Sequence, residues 1–345
     1  MRLTTKSSGF ILIFTLSIIT ISILLITYVS QRSSSHISFA QLCINRERAS
    51  TLALSGVQLA MSQIAVAAQG TEKAAPTEVD HAKELLITLF GSYGEWQTFK
   101  LHEKQDGFDG EIGFCITSES GKIDINAIYD FDKKKFKGEG QPQGDYKKYI
   151  QMLFNIIQPK IKGAQLFEAF EKFLKERQYE VQDVTELLTL KEFAPFKQHL
   201  FYKPTEQPLF LTDIFTVWTK KMTLDPWLLS RSLRTVFNFQ NVWAPEWKER
   251  ENMKEKLKQF TVKTDWTAKT WNSMMTQFTN IPFENLPKEM GNIWDDTFNP
   301  EIFSVISYAK IGTMTQHVLA IVQRNTSLGK NDVSFEVTIK KLYWL

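Results

Sequence analysis

Two cysteines, Cys43 and Cys115, stand in a chain of 345 residues. That is too few for a disulfide framework, although the two could pair in an oxidising compartment. The usual metal and nucleophile signatures are also missing. There is no H-E-x-x-H, no paired C-x-x-C, no P-loop and no nucleophile elbow. The five histidines, His36, His81, His102, His199 and His317, are dispersed without ligand spacing. Lys and Arg are interspersed with Asp and Glu for a net charge of +3, and no basic stripe points to nucleic acid. Proline is absent before Pro76, and the first acidic residue is Glu47. Between Ser7 and Gln31 there is no charge at all.

That uncharged stretch organises the chain. Residues 9–29 read GFILIFTLSIITISILLITYV. As a helix, the apolar run from Phe10 to Val29 is roughly 30 Å long, the thickness of a bilayer core. Arg2 and Lys6 precede it, which predicts a cytoplasmic N-terminus and places the rest of the chain across the membrane. A cleaved signal has an apolar region of about 7–15 residues ending in small residues. This run is longer and ends in Thr27, Tyr28 and Val29, so a signal peptide is the poorer reading and a single-pass anchor the better one.

The helical pattern continues past the membrane. Leu42, Asn45, Ala49, Leu52, Ala53, Gly56, Leu59, Ala60 and Gln63 recur at helical spacing, with polar residues between them. The spacing predicts one helix over 10–68, on the order of 90 Å long, lipid-embedded first and packed on a globular domain afterwards. A bend near Ser33 to Ser35 is the alternative. The next predicted elements are a loop over 69–76 and a short helix over 79–90. Alternation over 96–103 and 111–118, around QDGFDG, predicts an antiparallel hairpin. ESGKIDINAI (119–128) continues the alternation through Ile123 and Ile125.

The polar, Gly-containing stretch 131–145 is a boundary signal. About 150 residues of helical pattern follow. They include an apolar face of Leu166, Phe167, Phe170, Phe173 and Leu174, a capped helix over 183–190, and helices over 213–217, 226–237, 246–260 and 268–278. Pro226 is expected at a first helical position. Seven of the nine Trp fall between 200 and 300, and such aromatics serve more often as core than as a ligand platform. From Ile302 the period returns to two, predicting three strands over 302–312, 317–325 and 333–344.

Candidate chemistry is sparse. Asp106, Asp109 and Glu111 suggest calcium only weakly, because they lack the spacing of a calcium loop, and a solvated hairpin turn is the favoured reading. Glu168, Glu171, Lys172, Lys175 and Glu176 read as a salt-laced helix face. No catalytic centre emerges, and the chain is expected not to be an enzyme.

Four stretches carry a family resemblance. A short basic leader ending in Gly9 and followed by Phe10 resembles the class III signal of type IV pilin-like proteins. More narrowly, the chain resembles the minor pseudopilin K family of the type II secretion system. RERASTLALSGVQLA (46–60) is similar to the second half of that family's first helix. ESGKIDINAI resembles its D-E-x-G-K-x-N-L-N-A-L segment, and PLFLTDIFTVW (208–218) its F-x-x-x-x-E-L-x-x-V stretch. The resemblance implies an α+β fold: a pilin-like long N-terminal helix packed on an antiparallel sheet, with a large all-helical domain inserted between strands. The implied parts are a leader (1–9), a transmembrane half-helix (10–31), a pilin-like α/β domain (32–130), the helical insertion (131–300) and closing strands (301–345).

The resemblance also implies processing by a prepilin peptidase after Gly9, with methylation of Phe10. It implies a single-pass place in the inner membrane with a periplasmic bulk, and assembly with the minor pseudopilins I and J. Contact with the secretin or the secreted cargo would follow from a tip position but no residue here speaks for it. No cofactor is implied by the residues, and calcium cannot be placed. Asp124 and Asn126 stand where the family more often has two asparagines. FEAFEKFLKERQ occupies the place of its D-W-x-D motif, Asp213 stands for a common Glu, and a glycine after the E-L-x-x-V stretch is missing. Counted from Phe10, the fifth residue is Phe14, where most pilins carry a Glu that pairs with the amine of the subunit ahead. Phe14 cannot neutralise a predecessor, so the first position, at the tip, is favoured. The alternatives are a minor pilin priming a type IV pilus, or a membrane-anchored periplasmic binding or sensor module.

Overall fold

The computed structural model describes residues 8–65, 89, 93–141, 144–201, 209–225, 228–238, 293–294, 300–328 and 333–345. The loop expected over 69–76 and the helices expected over 246–260 and 268–278 lie outside the described residues, as does all but Leu89 of the one expected over 79–90. The element order is α1 (Ser8–Ala65), β1 (Gln97–Leu101), β2 (Gly110–Ser118), β3 (Ile123–Asp124), β4 (Tyr129–Asp130), β5 (Lys135–Phe136), α2 (Tyr146–Ile161), α3 (Leu166–Glu176), β6 (Phe215–Thr216), α4 (Arg231–Val236), β7 (Ile302–Ile311), β8 (Met314–Leu328) and β9 (Val333–Trp344). Short helical turns fall between these elements.

Helix α1 is one continuous helix of 58 residues with no break at Ser33 to Ser35. Its apolar half is bare: Leu12 to Val29 is exposed throughout. Hydroxyl groups in this half bond back to the helix. Ser17 donates to the carbonyl of Ile13 (2.9 Å), Thr20 to that of Leu16 (2.8 Å) and Thr27 to that of Ile23 (2.8 Å). A hydroxyl satisfied in this way adds little cost in hydrocarbon, where an unpaired polar group costs several kcal/mol.

The second half of α1 buries Ala49, Ala53, Val57, Ala60 and Ile64 completely. These residues share one face by their three- and four-residue spacing. From Ala53 onward they meet Ile112, Phe114, Ile116, Phe303, Val305, Val318, Ala320 and Val322 on one face of a sheet. Small side chains let the helix axis come close to that sheet. Gly56 takes this furthest: a Cβ there would lie 2.2 Å from the Ser307 hydroxyl.

The sheet is five-stranded, wholly antiparallel, in the order β1-β2-β7-β8-β9. The chain leaves it at Ser118 and returns at Ile302, and these two ends are neighbours, with Ser118 opposite Phe303. Everything between is therefore an insertion at one edge of a single strand pair. The expected hairpin is present, with Gln97 opposite Phe114. Its connection is a helical turn, Glu103–Asp106, closed by Gly107 at φ 80°, rather than a tight turn.

The inserted region packs around phenylalanines. Phe154 lies 5.3 Å from Phe170, 5.8 Å from Phe193 and 5.7 Å from Phe215, ring centre to ring centre. Phe167, Phe170 and Leu174 come from the predicted face of α3, while Phe173 is only partly buried. This core also takes in Tyr93, Ile123, Ile125, Ile128, Tyr129 and Phe136. The predicted all-helical character needs refining. The short pairs β3-β6 (parallel) and β4-β5 (antiparallel) lie within this region, and β5 interrupts the polar stretch because Phe136 is drawn into the core.

Four local expectations differ from what is found. The alternation in 119–128 is not a strand. A 3-10 turn (Glu119–Gly121), the two residues of β3 and one helical turn (Ile125–Ile128) replace it, because Asp124 caps the turn through the amides of Asn126 and Ala127. The helix expected over 213–217 is a single turn, Leu211–Ile214, which ends where Phe215 joins β6. Helix α4 starts at Arg231, because the Ser230 hydroxyl accepts from the amide of Leu233 and caps it there. The capped helix expected over 183–190 is a 3-10 helix, Val184–Thr189, with a reciprocal Asp183–Glu186 capping box.

Candidate functional site

Gly9, Phe10 and Phe14 all lie on the first turns of α1. Phe14 is 58% exposed on the bare apolar half. No carboxylate stands on α1 before Glu47. This end of the helix thus offers apolar surface over its whole bilayer-length stretch and no side chain that could neutralise an amine held beside it.

At the other end of the molecule, ESGKIDINAI is the joint between sheet and insertion. Gly121 passes so close to the neighbouring loop that a Cβ there would lie 1.6 Å from the carbonyl oxygen of Leu228. On either side of it, the carbonyl of Ser120 accepts from the amide of Asp225 (2.9 Å) and that of Gly121 from the amide of Ser230 (3.1 Å). Tyr93 braces the same place, accepting from the amide of Ser118 (2.9 Å) and donating to the carbonyl of Leu228 (2.7 Å).

The polar residues of this segment are fully employed. One carboxylate oxygen of Asp124 caps the turn that follows. The other accepts from the Thr219 hydroxyl (3.0 Å) and the Lys220 amide (2.8 Å). Burial still pushes the Asp124 carboxyl above its ordinary range, against those hydrogen bonds. Asn126 grips the backbone of Val181 at both ends, donating to its carbonyl and accepting from its amide (2.8 Å each). Buried Lys122 bonds to Glu119 and, at 3.0 Å, to the Ser304 hydroxyl of β7, and Glu119 also bonds to Ser304.

A cavity of about 30 Å³ lies beside this triad, bounded by Thr117, Thr212, Phe215, Trp218, Leu319 and Tyr343 among others. It has room for about one water. Serine, lysine and glutamate converge here, and Glu119 engages the ammonium group of Lys122. Across the cavity the Tyr343 hydroxyl donates to Asp183 (2.6 Å), joining β9 to the capped turn.

The remaining candidates are spent locally. Asp106 accepts from the amide of His102 (2.8 Å), Asp109 from the amide of Glu103 (3.0 Å), and Glu111 from the Tyr308 hydroxyl. Among the described residues no group of three or more His, Cys, Asp or Glu is placed to hold a metal ion. On α3, Glu171 pairs with Lys175 and with Lys147 of α2 (2.8 Å each), and Lys172 faces Glu176 at 3.8 Å. Cys43 is exposed and Cys115 buried, and both are free. Sequence reasoning missed the roles of Lys122, Glu119 and Ser304. The one available signal was Gly121 between polar residues, where a close backbone approach is a standard use of glycine.

The chain matches no family model and no curated protein. Among solved structures it is similar to one chain of the crystal structure of the GspK-GspI-GspJ complex from the enterotoxigenic Escherichia coli Type 2 Secretion System. The likeness covers 91% of this chain and 99% of that one, at 11% identity and a TM-score of 0.41.

Proposed function

We propose that this chain is a minor pseudopilin of a type II secretion system, placed at the tip of the periplasmic pseudopilus, where it initiates assembly with the minor pseudopilins I and J. The observation that carries the reading is the division of α1. One unbroken helix is bare and apolar over a bilayer length and is then buried by small residues against an antiparallel sheet. Such a helix serves as membrane anchor before assembly and as filament shaft after it. A plain anchor needs only the first half.

Phe14 supports the tip position. An amine from a subunit ahead would meet a phenyl ring here instead of a carboxylate and would stay charged in apolar surroundings. The insertion between Ser118 and Ile302 supports it as well, since such bulk is hard to repeat along a close-packed filament. Under this reading the chain works by shape and assembly, without catalysis or a cofactor. It sits as a single pass in the inner membrane, its bulk in the periplasm.

The test is the intact mass of the membrane-extracted chain, made with and without a prepilin peptidase. Loss of residues 1–9 with gain of one methyl group is the expected result. An uncut chain beside an active peptidase would overturn the pseudopilin reading and leave a membrane-anchored periplasmic module. A cut chain that co-purifies with a type IV pilus and with no secretion component would move the assignment to a minor pilin of that pilus.

A further inference from the structure

We propose that Asp213 is held as the neutral acid inside a buried ionic cluster, so that its proton locks α4 and the loop before it onto the ESGKIDINAI joint. Asp213 is 0% exposed. One of its oxygens, Oδ2, accepts from the amide of Ser232 at 2.7 Å, and the other, Oδ1, has no hydrogen-bond partner among the described residues. A buried, half-satisfied carboxylate costs far more than a half-satisfied carboxylic acid, because the ionised form forfeits its whole hydration.

The surrounding charges point the same way. Lys122 and Arg234, both buried, face Asp213 from the joint and from α4. Buried Glu119 already engages Lys122, and Asp225, also buried, lies beside Tyr93 on the same side of the core. Among the described residues Lys122 and Arg234 already face the buried anions Glu119 and Asp225, so an ionised Asp213 would add a further negative charge to the buried cluster. The other titratable groups facing it are Tyr93 and Cys115, whose hydroxyl and thiol burial pushes upward and so keeps neutral. Glu95 and Arg231, both half-buried, lie beyond Cys115 with opposite charges. Burial likewise pushes the Asp213 carboxyl up, against Lys122 and the Ser232 bonds.

A carboxyl whose pKa is raised on folding stabilises the fold fully below its unfolded value, about 4, and loses that contribution as pH rises through its folded value. The full-length chain in detergent is therefore expected to melt at a falling temperature over that interval. Asp213→Asn, which keeps an oxygen for the Ser232 amide, is expected to show a smaller fall, retaining only the part that Asp124 contributes. Asp124, also raised, contributes equally to both proteins, so their difference isolates Asp213. Infrared spectra near pH 5, about one unit above the ordinary carboxyl range, give a second readout. The wild-type spectrum is expected to hold a protonated-carboxyl band that Asp213→Asn weakens by up to one carboxyl group. If the band is the same in wild type and Asp213→Asn, the proposal fails. It fails equally if Asp213→Asn lowers the melting temperature by the same amount at every pH.

Discussion

Where α1 crosses the sheet, the contact is made by Ala53, Gly56, Val57 and Ala60; in the inserted region it is made by Phe136, Phe154, Phe170, Phe193 and Phe215. Both cores are closely buried, and they reach that state by opposite means. The first brings two backbones together by leaving side chains out. The second keeps backbones apart and fills the gap with rings. The first is consequently intolerant of added volume and the second of lost volume. A helix that must serve both a membrane and a sheet is tied to one straight axis. It cannot bend around large side chains, so the sheet has to come to it.

Adding volume to the first core should have the largest effect. Gly56→Leu drives four carbons into Ser307 and Ile112, and neither backbone can withdraw without parting α1 from β7. We expect the variant to lose its folded sheet, read as loss of the cooperative thermal transition and rapid proteolysis after α1. A Gly56→Leu chain melting within a few degrees of wild type would show that the helix–sheet contact is looser than its geometry. Removing volume from the second core ranks next. Phe170→Ala vacates a ring that touches Phe136, Phe154, Phe193 and Phe215 and should cost about 3–5 kcal/mol, measured by denaturant unfolding. The smallest effect is expected on the bare half of α1. Leu24→Ala also removes apolar volume but touches neither core, and should change the unfolding free energy of the folded domain by less than about 0.5 kcal/mol. A larger effect in detergent would mean that the bare half folds back on the domain.

Much of this architecture was readable in the order of residues. The uncharged run, the recurrence of Ala49, Ala53, Gly56 and Ala60 at three- and four-residue spacing, the alternation of β2 and the three closing strands are periodic over enough residues to survive any context, but Leu42 and Leu59 of the same pattern stay exposed while Val57 and Ile64, outside it, are buried. The joint was not readable in this way. Ile123 and Ile125 alternate like strand residues, yet Asp124 between them turns the chain by capping, and two residues suffice for β3 because β6 arrives from far along the chain. The same holds for Phe136, an aromatic in a lysine-rich stretch that becomes core only because Tyr129 and Phe167 are there to receive it. At the N-terminus the positions of Gly9, Phe10 and Phe14 follow from sequence alone, since a helix places them whatever else folds.

Hydrophobic periodicity and the absence of charge thus determined by themselves the membrane-length helix, its packed second half and the outer strands, because burial of an apolar stripe or face is a local demand that any partner can meet. Only the tertiary structure decided which carboxylates cap, which pair and which stand alone. Glu119, Asp124, Asp183 and Asp213 are identical in kind along the chain. They differ because chain segments brought together by the fold supply a hydroxyl of β7 to Glu119, the Thr219 hydroxyl and Lys220 amide to Asp124, the Tyr343 phenol to Asp183 and the Ser232 amide to one oxygen of Asp213, whose other oxygen has no partner among the described residues.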